Sequence, residues 1–445
     1  MLNSSLTYKR DTQKILRPTP WYDRYQNHND NHSVAVIGGG ISGAATCYSL
    51  LRRGYKVTLF ERHSELGMEA SGNPQGILYG NFFGTNSANV ELSIAGYKYS
   101  YDLIHQILTR YEDFDTCGMV QFAYNDKILK QQQGLLKSAL YRNTLSDFCH
   151  YVDKTKMAQL TNINESNIPY EHGLYFSNGT WISPQIFIDK LTKHPSITIK
   201  CDTEIISLRE NGMYNWELVD QQNNMYNFPN VVICNANDAI KFTQISNLYL
   251  RKIRGQVSII SNTPHEKLSP TNMILCNSGY ITPPHNNSFT IGATFNFKDF
   301  DEKIRDIDHI ENINHFKNLL PNILNNINPR DIMGRVGFRC STTDYFPMVG
   351  PIADYRAFKE IYKNLQKDSN YWIDDDCPYL HGLYLNIGHG AKGILTAPIC
   401  GEVIADYIDN TDMALNKHVI QKIHPNRFWR DEIVRREISY NMPLS

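Results

Sequence analysis

The spacing of apolar positions changes period along this chain, and each change marks a structural unit. Short apolar runs at 34–37, 56–60, 230–236 and 382–388 have the length and β-branched content of strands buried on both faces, as in a parallel sheet. Between the first two, Ile41, Ala44, Ala45, Tyr48 and Leu51 share one helical stripe, and Gly54 follows where a helix would stop. From 248 to 297 apolar and polar positions alternate between Pro, Asn and Gly turns, which predicts an antiparallel sheet. Helical spacing also covers 90–111, 184–193, 306–320 and about 395–408. Shorter strand blocks stand at 173–177, 179–181, 197–201 and 204–208. Parallel-type pieces at 33–61, 230–236 and 382–408 flank the alternating region, so the chain reads as α/β (α+β overall) with a discontinuous dinucleotide-binding unit.

The turn after the first run, Gly38-Gly-Gly40-Ile-Ser-Gly43, carries the chemistry of that unit. Gly38 permits the tight turn, Gly40 lets a pyrophosphate approach the backbone, and Gly43 lets the helix pack close to the strand. The amides of Ile41 and Ser42 at the helix start suit phosphate charge. Glu61, closing the second run, can accept from both hydroxyls of a ribose and would repel a 2′-phosphate, which favours FAD or NAD over NADP. A second glycine loop, Gly388-His-Gly-Ala-Lys-Gly393, precedes the helix at 395–408 and repeats this logic. Arg339 and Lys392 lie in turn-rich stretches beside expected parallel strands, where α/β ligand sites form. Together they could clamp an anionic substrate. Equally, Arg339 could pair with Asp344 while Lys392 faces solvent, and spacing leaves both open.

Composition narrows the remaining classes. A net charge of −1 over 445 residues provides no global field toward nucleic acid or membrane, so any RNA contact needs a local patch. No apolar run approaches the roughly 18 residues of a membrane span, and the N-terminus has no apolar signal core, so the expected location is cytoplasmic. Nine cysteines are scattered without metal-ligand spacing, and His28 with His32 sits in an Asn/Asp-rich stretch, so no metal site is expected.

Two longer runs are more specific. Gly337-Phe-Arg-Cys-Ser-Thr-Thr-Asp-Tyr-Phe-Pro-Met-Val-Gly350 and Ala70-Ser-Gly-Asn-Pro-Gln-Gly76 resemble the glycine oxidase and D-amino-acid oxidase class of FAD enzymes. More narrowly, the chain looks like the FAD-dependent oxidoreductase domain of the bifunctional tRNA 5-methylaminomethyl-2-thiouridine biosynthesis proteins. Further matches are Cys117-Gly-Met-Val-Gln121, Trp181-Ile-Ser-Pro184, Arg254-Gly-Gln256, Gly279-Tyr-Ile-Thr-Pro283 and His424-Pro-Asn-Arg-Phe-Trp429.

The resemblance implies a Rossmann-like FAD-binding domain at 33–90, 150–242 and 335–412, an antiparallel substrate domain of the D-amino-acid oxidase type at 91–149 and 243–334, a polar arm or linker at 1–32 and a basic tail at 413–445. It implies FAD held without a covalent link by Gly38, Gly40, Ile41, Ser42, Gly43, Glu61, Arg62, Ser71, Gly72, Asn73, Gln75, Gly76, Gly390, Ala391 and Gly393. Arg339 falls on the family's carboxylate-binding Arg, while Lys392 and His389 fall on a GHGxK pattern of sarcosine oxidases; these three are the catalytic candidates. The implied reaction oxidises the carboxymethylaminomethyl group of a tRNA wobble uridine to aminomethyl-uridine, releasing glyoxylate. A separate methyltransferase would then act on the product, since the family's methyltransferase domain is not part of this sequence. Candidate tRNA contacts are Lys9, Arg10, Lys14 and Arg17 near the start and Lys422, Arg427, Arg430, Arg435 and Arg436, interleaved with Phe428 and Trp429, near the end. A small-molecule oxidase for glycine or sarcosine, and a binding protein without turnover, are the alternatives. The chain departs from the narrower family at Ala391-Lys-Gly393, where Ser-Arg-Gly is usual, and Asn237 stands where a flavoprotein strand usually ends in Gly.

Overall fold

The computed structural model describes residues 18–435, apart from 24, 30, 84–86, 213–214, 262–270 and 326. Its centre is a six-stranded sheet in the order Met348–Ala353, Tyr379–Ile387, Asn230–Ile233, Ser33–Ile37, Lys56–Phe60, Ile197–Lys200. All neighbours are parallel except the first pair. The apolar runs are continuous because both faces are covered: Val34 and Val36 belong to one core, Ala35 and Ile37 to the other.

On one face lie the helices Ile41–Arg52, Ala88–Ile107, Pro184–Thr192 and Gly393–Asp409. Glycines set their close approach: a Cβ on Gly401 would lie 2.8 Å from the Ala45 carbonyl oxygen, and one on Gly96 would lie 2.5 Å from that of Leu395. Arg53 ties the first helix to the last through Glu402 at 2.9 Å and Asp406 at 2.5 Å. The other face is covered by the antiparallel meander Ile205–Glu210, Trp216–Asp220 and Met225–Phe228 and by the helix Arg427–Arg435, whose Trp429 is buried.

The expected antiparallel region forms a nine-stranded sheet whose longest strand, Arg251–Ser261, pairs with Met333–Ser341 so that Gly255 opposes Gly337 and Ile253 opposes Arg339. Several segments sit differently from their expected places. Cys149–Asp153 and His172–Phe176 join this antiparallel sheet rather than the nucleotide unit. The helix Ala88–Ile107, expected with the substrate region, packs on Gly393–Asp409, with Ser100 Oγ donating to the Leu395 carbonyl at 3.1 Å. The segment read as a linker is docked where it is described: Trp21 is buried against Tyr362, Tyr379 donates its hydroxyl to the Trp21 carbonyl at 2.9 Å, and Asn27 donates to the Ile408 carbonyl at 2.7 Å. A polar composition hid the few aromatic anchors that hold it.

Candidate active site

A cleft of about 310 Å³ opens between the carboxyl ends of the parallel strands and the antiparallel sheet. Its floor is the first glycine turn. Gly38 has φ +108°, and a Cβ there would lie 2.8 Å from the Asn235 backbone; a Cβ on Gly43 would lie 1.9 Å from the Gly38 carbonyl oxygen. The turn therefore closes as the spacing predicts, with Gly43 behind it rather than in the cleft. Glu61 is 7% exposed and fixed at the cleft edge, accepting from the amides of Gly39 at 2.7 Å and His63 at 2.9 Å. Ser71 Oγ accepts from the Ile41 amide at 3.1 Å, so a hydroxyl stands at the helix start where phosphate oxygens would lie.

Gly40, Ile41, Ser42, Arg62, Asn73 and Gly76 also line the cleft. Arg62 bridges its mouth, paired with Glu69 and, at 2.6 Å, with Asp238. Gly72 and Gln75 do not line it. Gly72 packs beneath Arg335, which would lie 2.5 Å from a Cβ at that position. Gln75 is 2% exposed and joins the loop to the antiparallel sheet, accepting from Thr282 at 2.6 Å and donating to the Pro283 carbonyl at 3.0 Å. Arg335, not singled out from the sequence, pins the same loop through the carbonyls of Met68 and Glu69 and, at 3.3 Å, Asn73 Oδ1.

The second glycine loop supplies the opposite wall. Gly390 has φ +58° and donates its amide to the Cys340 carbonyl at 2.7 Å. Gly390, Ala391 and Gly393 line the cleft at the start of the 17-residue helix Gly393–Asp409, whose first amides have no intrahelical acceptor. His389 also lines it, but both ring nitrogens are engaged, Nε2 with Asn386 Oδ1 at 3.0 Å and Nδ1 with Thr396 Oγ1 at 2.8 Å. Burial holds it down to about 4, so it is neutral near pH 7, and its two ring contacts brace the loop.

The two expected cations do not converge. Arg339 lines the cleft, but Lys392 does not: its ammonium donates to Asn89 Oδ1 at 3.3 Å. The competing pairing of Arg339 with Asp344 is absent too, because Asp344 accepts a two-pronged contact from Arg427 at 2.9 and 3.0 Å. Arg339 instead donates to the Thr294 carbonyl at 3.0 Å and lies 5.2 Å from the Phe295 ring centroid, with no carboxylate partner among the described residues. Gly255 makes room for it, since a Cβ there would lie 2.2 Å from Nη1. Besides Arg339 and the paired Arg62, the cleft is lined by Lys252, 4.1 Å from the Phe338 ring centroid, and by Tyr280. Neither could be picked out beforehand, since alternation in a strand does not say which face meets a cleft. Burial pushes the Tyr280 phenol up to about 12, so its hydroxyl remains a donor.

The candidate phosphate contacts separate as well. Arg427 and Trp429 are buried, Arg430 pairs with Asp431, and Lys422 and Arg435 are exposed; Lys9, Arg10, Lys14, Arg17 and Arg436 lie outside the described residues. Among the described residues no cluster of metal-ligating side chains occurs, and no helix is long and apolar enough to cross a membrane.

Two glycine loops at two helix starts, an acid at the end of the second strand and a roof of antiparallel strands define a flavin-dependent oxidoreductase. The chain belongs to the FAD dependent oxidoreductase (DAO) family, whose model matches residues 33–407. It is 33% identical over 421 residues to the tRNA 5-methylaminomethyl-2-thiouridine biosynthesis bifunctional protein MnmC of Pseudomonas fluorescens Pf0-1, covering 94% of this chain and 62% of that one. The MnmC of Chromobacterium violaceum is 32% identical over 423 residues, with 94% and 63% covered. The chain thus spans about three fifths of the length of these relatives. Among solved structures, glycine oxidase from Geobacillus kaustophilus superposes with TM-score 0.68 at 18% identity, covering 88% and 98% of the two chains. L-proline dehydrogenase from P. horikoshii gives TM-score 0.68 at 16% identity, covering 90% and 98%.

FAD is the family's cofactor, and the cleft suits it. The glycine turn has no room for a Cβ at Gly38, Gly39 or Gly43, and the buried Oδ1 atoms of Asn235 and Asn237, both lining the cleft, have no hydrogen-bond partner and await donors such as ligand hydroxyls.

Proposed function

We propose that this chain oxidises the CH–NH bond of an N-carboxymethyl secondary amine, the carboxymethylaminomethyl group of a tRNA wobble uridine, leaving aminomethyl-uridine and glyoxylate. The observation that carries this reading is Arg339, a cleft-lining guanidinium with no carboxylate of its own. The names of the relatives supply the tRNA context.

The Arg339 fork would bind the substrate carboxylate, with the Tyr280 hydroxyl as a further donor. That attachment orients the neighbouring methylene and limits how far it can wander from the reacting geometry. Lys252 and Arg339 together raise the local positive potential, which disfavours an ammonium and keeps the amine lone pair available. FAD, when bound, supplies the two-electron acceptor for the hydride of the methylene. The amine N–H proton is lost to solvent, and water then cleaves the resulting C=N bond to glyoxylate and the primary amine. Glu61 would hold the ribose hydroxyls, Ile41 and its neighbouring amides the pyrophosphate, and the amides starting Gly393–Asp409 the electron-rich edge of the ring.

The test is anaerobic mixing of the holoprotein with tRNA bearing the carboxymethylaminomethyl group. Loss of the visible flavin absorbance with stoichiometric glyoxylate is the expected result. Bleaching by sarcosine or glycine while tRNA leaves the flavin oxidised would replace this reading with a small-molecule amine oxidase.

A further inference from the structure

Beside two cations that line the cleft, Arg339 and Lys252, stand three phenylalanines that the core does not use. Phe295, Phe297 and Phe300 are 44%, 49% and 53% exposed. Their segment is held by charge and backbone contacts instead of by its rings. Arg305 pairs with Asp299 at 2.7 Å and Asp301 at 2.9 Å, and the buried Arg254 pairs with Asp308 at 2.7 Å while donating to the Asp301 carbonyl at 2.6 Å. The main chain pairs Phe297 with Ile253 and Asn296 with Arg254. The acids at 299, 301 and 308 are thereby neutralised and Asp306 lies 3.8 Å from Arg330, leaving Glu302 as the acid of the segment without an ion pair among the described residues.

Cations from the cleft wall reach these rings. The Arg339 guanidinium lies 5.2 Å from the Phe295 centroid, and the Lys252 ammonium lies 5.9 Å from that of Phe300. Phe295 and Phe297 stand edge to face at 5.3 Å, Lys298 is exposed beside them, and Arg251 lies 5.9 Å from the exposed ring of Tyr345. Among the described residues, Lys252, Lys298 and Arg339 form no ion pair. Exposed rings alternating with unpaired cations, continuous with a cleft that Lys252 and Arg339 also line, match a single-stranded nucleic acid: bases offer π-faces to stack and phosphates offer charge. A protein partner would be met better by a contiguous apolar patch than by this interleaving.

We propose that Phe297 and Phe300 stack the nucleobases flanking the wobble uridine while Lys252 and Lys298 meet their phosphates, so that the anticodon loop is splayed and the modified base enters the cleft. This rests on the tRNA reading above.

The experiment measures binding of a fluorescent anticodon stem-loop RNA to the FAD-loaded full chain by anisotropy. F297A/F300A weakens binding about tenfold or more, with flavin content and visible spectrum unchanged. Trp at both positions restores affinity, whereas Leu does not, because stacking needs a flat ring. Lys298→Ala lowers the slope of log affinity against log salt by about 0.7. Wild-type affinity in F297A/F300A, or rescue by Leu equal to that by Trp, overturns the proposal; in the second case generic apolar contact, as with a protein or a second copy, explains the exposed rings. If the wild type oxidises the tRNA and F297A/F300A does so with unchanged KM, the stacking proposal fails and the tRNA reading stands. If the wild type neither binds the stem-loop nor is reduced by the tRNA, both fail.

Discussion

Arg339 owes its freedom to two residues far from it in sequence. Arg427 occupies Asp344, the acid five positions along the chain that could have paired with it, and Gly255 vacates the space its guanidinium fills. Replacing Arg339 by Ala should therefore lower kcat/KM for the carboxylated amine about a hundredfold, the order expected for losing a charge-assisted pair in a partly desolvated site, with FAD content unchanged. Steady-state kinetics on matched holoproteins checks this. Gly255→Ala should reproduce much of that loss without touching the charge, because the new methyl would displace the guanidinium. Lys392→Ala should change kcat/KM by less than about threefold, since its ammonium is turned to Asn89; a loss matching that of Arg339→Ala would show that both cations hold the substrate. Arg339 is legible in the sequence only through its motif. Its true neighbours, Thr294, Phe295 and Tyr280, come from other segments and carry no local signal.

At the level of the element, both glycine loops follow local rules, and their bracing does not. The Gly388–Gly393 turn depends on a neutral His389 wedged between Asn386 and Thr396. Its folded value of about 4 lies below the unfolded value near 6.5, so the unfolded chain binds the extra proton first as pH falls. The contribution, about 3 kcal/mol in full, is present above pH 6.5 and is lost progressively toward pH 4. Buried His424, held to about 3, acts in the same direction. Thermal melts of the holoprotein should thus fall in this window, and His389→Gln should flatten the slope. A strained backbone position lies at Ala236, which has φ +52° and opens the short 3-10 helix Ala236–Lys241, three residues beyond the strand Asn230–Ile233. Ala236→Gly should raise unfolding free energy by about 1 kcal/mol in urea titration, because the left-handed region penalises a Cβ. The 70–76 loop is recognisable from its turn residues, but its anchors, Gln75 on the sheet side and Arg335 from another strand, required the folded pairing.

Over the whole molecule, the helix Arg427–Arg435 and the loop that follows the strand Met333–Ser341 are joined through one buried cation. Arg427 pairs with Asp344 and donates to the carbonyls of Ile423 at 2.9 Å, His424 at 3.1 Å and Phe346 at 2.9 Å. Arg427→Ala should cost about 3 kcal/mol, measured by denaturant unfolding, because it leaves a carboxylate and several carbonyls unpaired. Its buried setting removes it from the candidate phosphate contacts and assigns it to stability. The same long-range assembly turns the stretch around Trp21 from a linker into a packed strap, and moves Cys149–Asp153 and His172–Phe176 into the antiparallel sheet.

The sequence alone determined the dinucleotide turn, its acid, the parallel strands and the antiparallel region, because each rests on backbone conformation and hydrophobic period within a few tens of residues. Only the tertiary structure decided which cations face the cleft, which acid is already paired, and which aromatic rings remain exposed beside those cations. Those are properties of side chains brought together from distant strands, and strand period assigns a side chain to one of two faces without saying what each face meets.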